Sequence, residues 1–148
     1  MIALALVFSI SSLKGQSFIA FINPDSLVTP KGYTHAVIVP PGYKTIYISG
    51  QIPVNAKGEI VGKGDFKQQT IQVFENLKRA LTSTGASFDD VVKMNTYVAN
   101  FNAQSLSIIR EIRSNYINKK NPPANTTVGI TTSNPDILLE IEVVAVLK

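Results

Sequence analysis

Two carboxylates stand two residues apart in the last apolar run of the chain, Leu138-Leu139-Glu140-Ile141-Glu142-Val143-Val144-Ala145-Val146. Strand alternation puts Glu140 and Glu142 on one face. On the inner face of a sheet, ionised carboxylates are costly unless paired or hydrogen-bonded, which makes them candidates to orient a water or move a proton. On an exposed edge they are ordinary solvated charges, and spacing alone leaves both alternatives open. The rest of the inventory is narrow. A single histidine, His35, offers little to a Ser-His arrangement or a multi-histidine metal site. It lies beside an apolar run and reads as a satisfied structural histidine rather than a base. The chain has no cysteine, which excludes disulfides, thiol nucleophiles and cysteine–zinc sites. Thr126 and Thr127 are weak nucleophile candidates because no base lies near them in sequence.

The elements that must position these groups follow from pattern. Ser17–Ile22 is a short strand candidate, broken by the turn chemistry of Asn23-Pro24-Asp25. His35–Val39 and Tyr43–Ser49 read as strands, and Gln51–Gly62 as a hairpin with its tip at Asn55–Gly58. A helix starts at Asp65, which with Gln68 gives an approximate capping box. It buries Phe66, Thr70, Val73, Phe74, Leu77 and Leu81 and ends at Gly85. Lys93–Ala99 is a strand. A second helix is expected over Ala103–Asn118, with Leu106, Ile109, Ile112 and Tyr116 inward, and the double proline Pro122-Pro123 stops it. Strands at about Thr126–Thr131 and Leu138–Leu147 complete the order. The class is α+β: a mostly antiparallel sheet with two helices packed on one face. The other sheet face is expected to carry Val, Ile and Leu and to be covered by another subunit.

A length of 148 residues, 45% apolar and 16% charged, suits one domain with one core. The net charge of +4 is scattered, with no basic run longer than two, so a nucleic-acid surface is not expected. The first sixteen residues, with their apolar run Ile2–Ile10, resemble the apolar and cleavage regions of a secretory signal without the preceding positive segment. Read so, residues 1–16 are a signal-peptide remnant, residues 17–148 are the domain, and the protein is exported. Read as a first strand or a tail, they leave it cytoplasmic. The run is too short to span a membrane as a stable helix.

Several pieces in fixed order resemble the RidA/YjgF family of reactive-intermediate deaminases. They are Gly32-Tyr33-Thr34-His35-Ala36-Val37, Tyr47-Ile48-Ser49-Gly50-Gln51-Ile52-Pro53, the helix Gln69–Gly85, Asp89–Lys93, Pro123-Ala124 and Glu140–Val146. The resemblance covers about Asn23 to Leu147. It implies a chorismate-mutase-like fold assembled as a homotrimer, with small-molecule clefts between subunits. It also implies hydrolysis of 2-enamino and 2-imino acids to 2-oxo acids and ammonium without metal or organic cofactor. Some members are described as endoribonucleases or translation inhibitors. Phosphodiester hydrolysis wants a histidine pair, a metal cluster or a basic groove, and that reading ranks last.

Carried over by position, the resemblance makes Glu140 the catalytic, water-orienting glutamate. Tyr33, Ser49, Gly50 and Thr127 become ligand-side positions. Where family deaminases carry an arginine that clamps the substrate carboxylate, this chain has Asn125. Asparagine donates hydrogen bonds but has no charge, and losing a buried charged contact weakens a small carboxylate ligand by about 2–5 kcal/mol. Arg110 lies near a position where deaminating members often carry a cleft-side asparagine, with Arg113 one turn on. Arg110 is therefore a candidate to supply the missing charge; the alternative is a solvent-facing arginine paired with Glu111 or a neighbour. Glu142 shares the face of Glu140, and Tyr33 has the alternative of packing at a subunit seam. A non-catalytic metabolite-binding module is the competing function.

Overall fold

The computed structural model describes residues 18–148. The signal-like segment 1–16 and the first residue of the Ser17–Ile22 strand candidate lie outside the described residues. The expected order of elements is present. Strands β1 (Ala20–Ile22) and β2 (Ala36–Ile38) form an antiparallel ribbon. β3 (Lys44–Gln51), β4 (Val91–Ala99), β5 (Ala124–Ile130) and β6 (Leu139–Leu147) form the main sheet in the order β3-β6-β4-β5. β6 pairs antiparallel with β3 and β4, whereas β4 and β5 run parallel. A parallel pair needs a crossover, and helix α2 (Ala103–Arg113) supplies it. Helix α1 (Phe66–Ser83) lies over β3 and β6 and against α2.

The ends of α1 are set by local chemistry. Gln68 N–H donates to Asp65 Oδ1 at 3.0 Å, as an N-cap requires. The reciprocal bond of a capping box does not form, because the Asp65 N–H goes to Gly62 O at 2.9 Å. The full box occurs at α2, where Ser105 N–H donates to Asn102 Oδ1 and Asn102 N–H to Ser105 Oγ, at 2.9 and 3.0 Å. At the other end of α1, Gly85 takes φ 81°, and the N–H groups of Gly85 and Ala86 return to Thr82 O and Leu81 O. These are the paired bonds of a Schellman stop.

Val73, Phe74, Leu77 and Leu81 of α1 are fully buried against Ile48, Met94, Leu139, Ile141, Val143 and Ala145 of the sheet. Gln69 is buried with them. Its amide nitrogen donates to Gly62 O and Asp136 O at 3.2 and 2.7 Å, and its oxygen accepts from Leu138 N–H at 2.9 Å. A buried amide must be satisfied in this way, and here it fixes where β6 begins.

Three expectations need correction. The Gln51–Gly62 hairpin reduces to one bridge, Val54–Ile60, around a tip where Asn55 Oδ1 accepts from Lys57 N–H and Glu59 N–H. Helix α2 ends at Arg113 rather than Asn118. Tyr116, beyond that end, is half-buried and stacks on Phe74 with ring centroids 4.9 Å apart. Its hydroxyl donates to Glu75, and burial, then that bond, pushes its pKa up to about 12. The largest correction concerns the sheet face away from the helices. It carries Lys93, Asn95, Tyr97, Glu140, Glu142 and Thr126, with Tyr47, Val128 and Val144 as its larger apolar groups. Strands apolar on both faces read as continuous hydrophobic runs, and β4 and β5 instead interleave polar residues.

Candidate functional site

Within one chain, the residues singled out by the sequence fall into two groups on opposite faces of the sheet. The first gathers at the β5 edge, on the helix side. Thr34 forms a single parallel bridge with Ala124, its N–H donating to Pro123 O at 3.2 Å, and this lays Tyr33 beside the start of β5. In the parallel register Asn125 lies opposite Met94 and Thr127 opposite Thr96, so both side chains point toward α2. There Tyr33, Leu106, Arg110, Arg113, Asn125 and Thr127 line a cavity of about 220 Å³. Asn125 Nδ2 donates to Thr127 Oγ1 at 3.2 Å, while Asn125 Oδ1 is buried without a partner.

Two guanidinium groups face this cavity. Arg110 is exposed and makes no ion pair among the described residues; Glu111, next to it in sequence, pairs with Lys67 at 2.9 Å. Arg113 is only 6% exposed, and its Nη2 donates to Gly32 O at 2.9 Å. Burial pushes the pKa of Arg113 down, and the charge of Arg110 pushes it the same way. Gly32 has φ 78°, and a Cβ there would come within 3.3 Å of the Arg113 Nη2, so both conformation and space call for glycine.

The second group lies on the open face. The β3–β6 register shifts between Ile48 and Gln51, and this bulge carries Ser49 and Gly50. Glu140 lies directly across Gly50: a Cβ added there would overlap Glu140 Oε1 and fall 2.7 Å from its Cδ. No hydrogen bond reaches Glu140 from the described residues. Glu142, on the same face, accepts from Asn95 Nδ2 at 2.8 Å and from Tyr97 Oη–H at 2.9 Å. These bonds, Asn95 first, hold the Glu142 carboxyl below the usual range, while the bond to Glu142, then burial, raises the pKa of Tyr97. The environments therefore differ: Glu142 is committed to its neighbours and Glu140 is not. Ser49 lines a hollow of about 170 Å³ with Tyr47, Lys93, Asn95 and Glu142.

His35 lines neither hollow, although its ring packs edge-on against Tyr33 with centroids 5.3 Å apart. Its Nε2 lies 2.8 Å from Val28 O, so that nitrogen carries the hydrogen, and its backbone N–H donates to Asn23 Oδ1 at 2.9 Å. A separate hollow of about 570 Å³ between the starts of α1 and α2 contains none of the expected residues. Three of its polar side chains are engaged elsewhere, Asp65 and Asn102 as caps and Lys67 with Glu111. Sequence reasoning underrated Arg113 and passed over Lys31 and Gly32, which share its surroundings. The available signal was an arginine directly after Ile112, at the border of the buried stripe of α2.

The family model described as Endoribonuclease L-PSP matches residues 24–147. A RutC family protein of Pyrococcus abyssi is 40% identical over 101 residues, covering 68% of this chain and 76% of that protein. A 2-iminobutanoate/2-iminopropanoate deaminase of Dermatophagoides farinae is 31% identical over 105 residues, covering 70% of this chain and 79% of that protein. Among solved structures, YyfB of Yersinia pestis, a Rid family protein described as of unknown function, superposes with a TM-score of 0.76 at 36% identity. That match covers 87% of this chain and 98% of YyfB. The α+β fold, the family match and these relatives agree, and the chain belongs to the L-PSP endoribonuclease family, the RidA/YjgF proteins.

Proposed function

We propose that the protein is a cofactor-independent hydrolytic deaminase of short-lived 2-imino and 2-enamino acids. In this reading it works in clefts between the subunits of a homotrimer, with Asn125 at the position where deaminating relatives carry an arginine. The observation that carries the reading is the state of Glu140. It is a carboxylate with no donor among the described residues, laid against a glycine that leaves room for it. The name of the Dermatophagoides farinae relative points to the same reaction class.

The separation of the two groups favours a site built from two copies of the chain. Glu140 and Gly50 stand on the open face, whereas Asn125, Thr127, Tyr33 and Arg110 stand behind the β5 edge on the other face. A second subunit that seats its open face over the first subunit's β5 edge brings one set to the other. That contact joins unlike surfaces, which make a ring where the rotation between copies closes, and in the proposed assembly it closes at three copies.

In such a cleft Glu140 accepts a hydrogen from water and directs its oxygen at the imine carbon. The C–O bond forms as the C=N pair moves to nitrogen, and collapse of the carbinolamine releases ammonium and leaves the 2-oxo acid. An enamine first takes a proton at its β-carbon to enter the same path. Ser49, Gly50 and Thr127 hold water and ligand, Tyr33 forms a wall, and Asn125 with Arg110 receives the carboxylate.

The test generates imines of several amino acids in situ and measures their decay against buffer. The parent should accelerate decay, and Glu140→Ala should lower the rate by about 100-fold or more, toward the buffer rate. No acceleration for any imine, together with tight metabolite binding by calorimetry, would leave a non-catalytic metabolite-binding trimer, which the uncharged Asn125 favours. Ribonuclease chemistry ranks third, because the single histidine is bonded to Val28 O and stands outside the cavity.

A further inference from the structure

Arg113 is the most costly side chain in the molecule to leave as it is. It is a guanidinium 6% exposed, with one hydrogen bond, to a backbone carbonyl, and no carboxylate within ion-pair distance among the described residues. A guanidinium has five donors, and a buried charge without a counter-ion is destabilising. None of the Arg113 nitrogens is sealed off without a partner, so the remaining donors open onto the hollows that Arg113 lines. One is the cavity of about 220 Å³ that holds Asn125; the other, of about 250 Å³, continues past Gly32 to Lys119 and Pro122. Lys31, Arg110 and Arg113 line both, and neither contains an acidic side chain.

We infer that Arg110 and Arg113 form a two-guanidinium clamp between these hollows, and that its ligand is a small dicarboxylic acid: for the reaction proposed above, a 2-imino dicarboxylate. The reaction rests on that proposal; the clamp itself does not. One carboxylate takes one guanidinium fork, so a monocarboxylate leaves the second arginine unmatched, whereas a second carboxylate matches both. Lys31 and Lys119 add to the positive potential at the mouths. Asn125 then has no charge to supply, since the charge has moved from the edge strand to helix α2.

Calorimetry with stable 2-oxo acids tests the clamp without turnover. 2-Oxoglutarate should bind the parent about tenfold tighter than 2-oxobutanoate, since one additional charge-assisted pair is worth about that factor. Arg110→Gln should bring the two acids to within about twofold of each other. Arg113→Lys should weaken both, and if that variant does not fold, Arg110→Gln decides alone. Equal affinities in the parent, binding of neither acid, or an intact preference in Arg110→Gln would overturn the clamp. 3-Phosphoglycerate bound more tightly than 2-oxoglutarate would overturn the dicarboxylate assignment. The two readings fail separately. The calorimetric preference without imine hydrolysis removes the deaminase and keeps the clamp. Hydrolysis of monocarboxylic imines by the parent, with no 2-oxoglutarate preference, does the reverse.

Discussion

The two faces of the main sheet are built on different terms. Under α1 the face is apolar and closed: Leu139, Ile141, Val143 and Ala145 of β6 are at most 2% exposed. On the reverse of the same strand stand Glu140 and Glu142, in a field of Lys93, Asn95, Tyr97 and Thr126. Residues one position apart in β6 thus serve separate purposes. The covered face supplies stability through burial, about 1.5–3 kcal/mol for each large side chain, and the open face carries groups that a core could not tolerate uncompensated. That open face also presents Tyr47 and Val128, 79% and 40% exposed, which would serve as apolar anchors in the proposed assembly.

The sharpest way to break this contrast is a pair of truncating and charging substitutions. Leu77→Ala, beneath the covered face, should cost about 2–5 kcal/mol in urea unfolding. Val128→Arg, on the open face, should change subunit stability by no more than about 0.5 kcal/mol while dissociating the proposed assembly in sedimentation. Equal losses of stability from the two would mean that both faces act as core. A smaller effect is expected from Gly50→Ala. Its methyl group would displace Glu140, and imine decay should fall to the level of Glu140→Ala with the fold retained by circular dichroism. Full activity in that variant would remove Glu140 from its assigned place.

The smallest effect concerns the other carboxylate. Glu142 has its folded-state pKa lowered from 4.5, first by Asn95 and then by Tyr97. A lowered carboxyl pKa contributes stability above the unfolded value, and that contribution is lost as the pH falls through the folded value. Tyr97→Phe removes one donor, so the Glu142 pKa should rise toward 4.5 and the acid-side loss should become shallower. Carboxyl-carbon NMR titration reads this directly. No movement would mean that Asn95 alone sets the carboxylate.

Local chemistry made much of this legible in advance. The period of Val73, Phe74, Leu77 and Leu81 and the stop at Gly85 needed only propensity and geometry. Alternation placed Glu140 and Glu142 together, but nothing local distinguished them. The difference arises from Asn95 and Tyr97, 45 and more residues away in the chain, brought opposite by the β4–β6 register. Gln69 escaped notice because a glutamine on a helix reads as solvent-facing until its partners, Gly62 O, Asp136 O and Leu138 N–H, are in place. Arg113 escaped for a similar reason, since the turn at Gly32 that accepts from it is 81 residues distant. The open face is less apolar than expected: alternation in β6 sends Ile141 and Val143 under the helices and leaves Val144 and Val146 beside Glu140 and Glu142.

One consequence of the strand order concerns handling of the protein. β5 is the outermost strand, and beyond Ala124 its outer row of backbone groups pairs with no named strand. Its sequence, Ala-Asn-Thr-Thr-Val-Gly-Ile, has no charge and no proline, the two devices that usually keep an edge from recruiting further strands. A subunit held outside the proposed ring presents a sticky template, and concentrating it favours disordered β-rich precipitate. Charged substitutions at the seams of the proposed assembly, made at high protein concentration, are therefore the conditions under which this protein would be lost from solution.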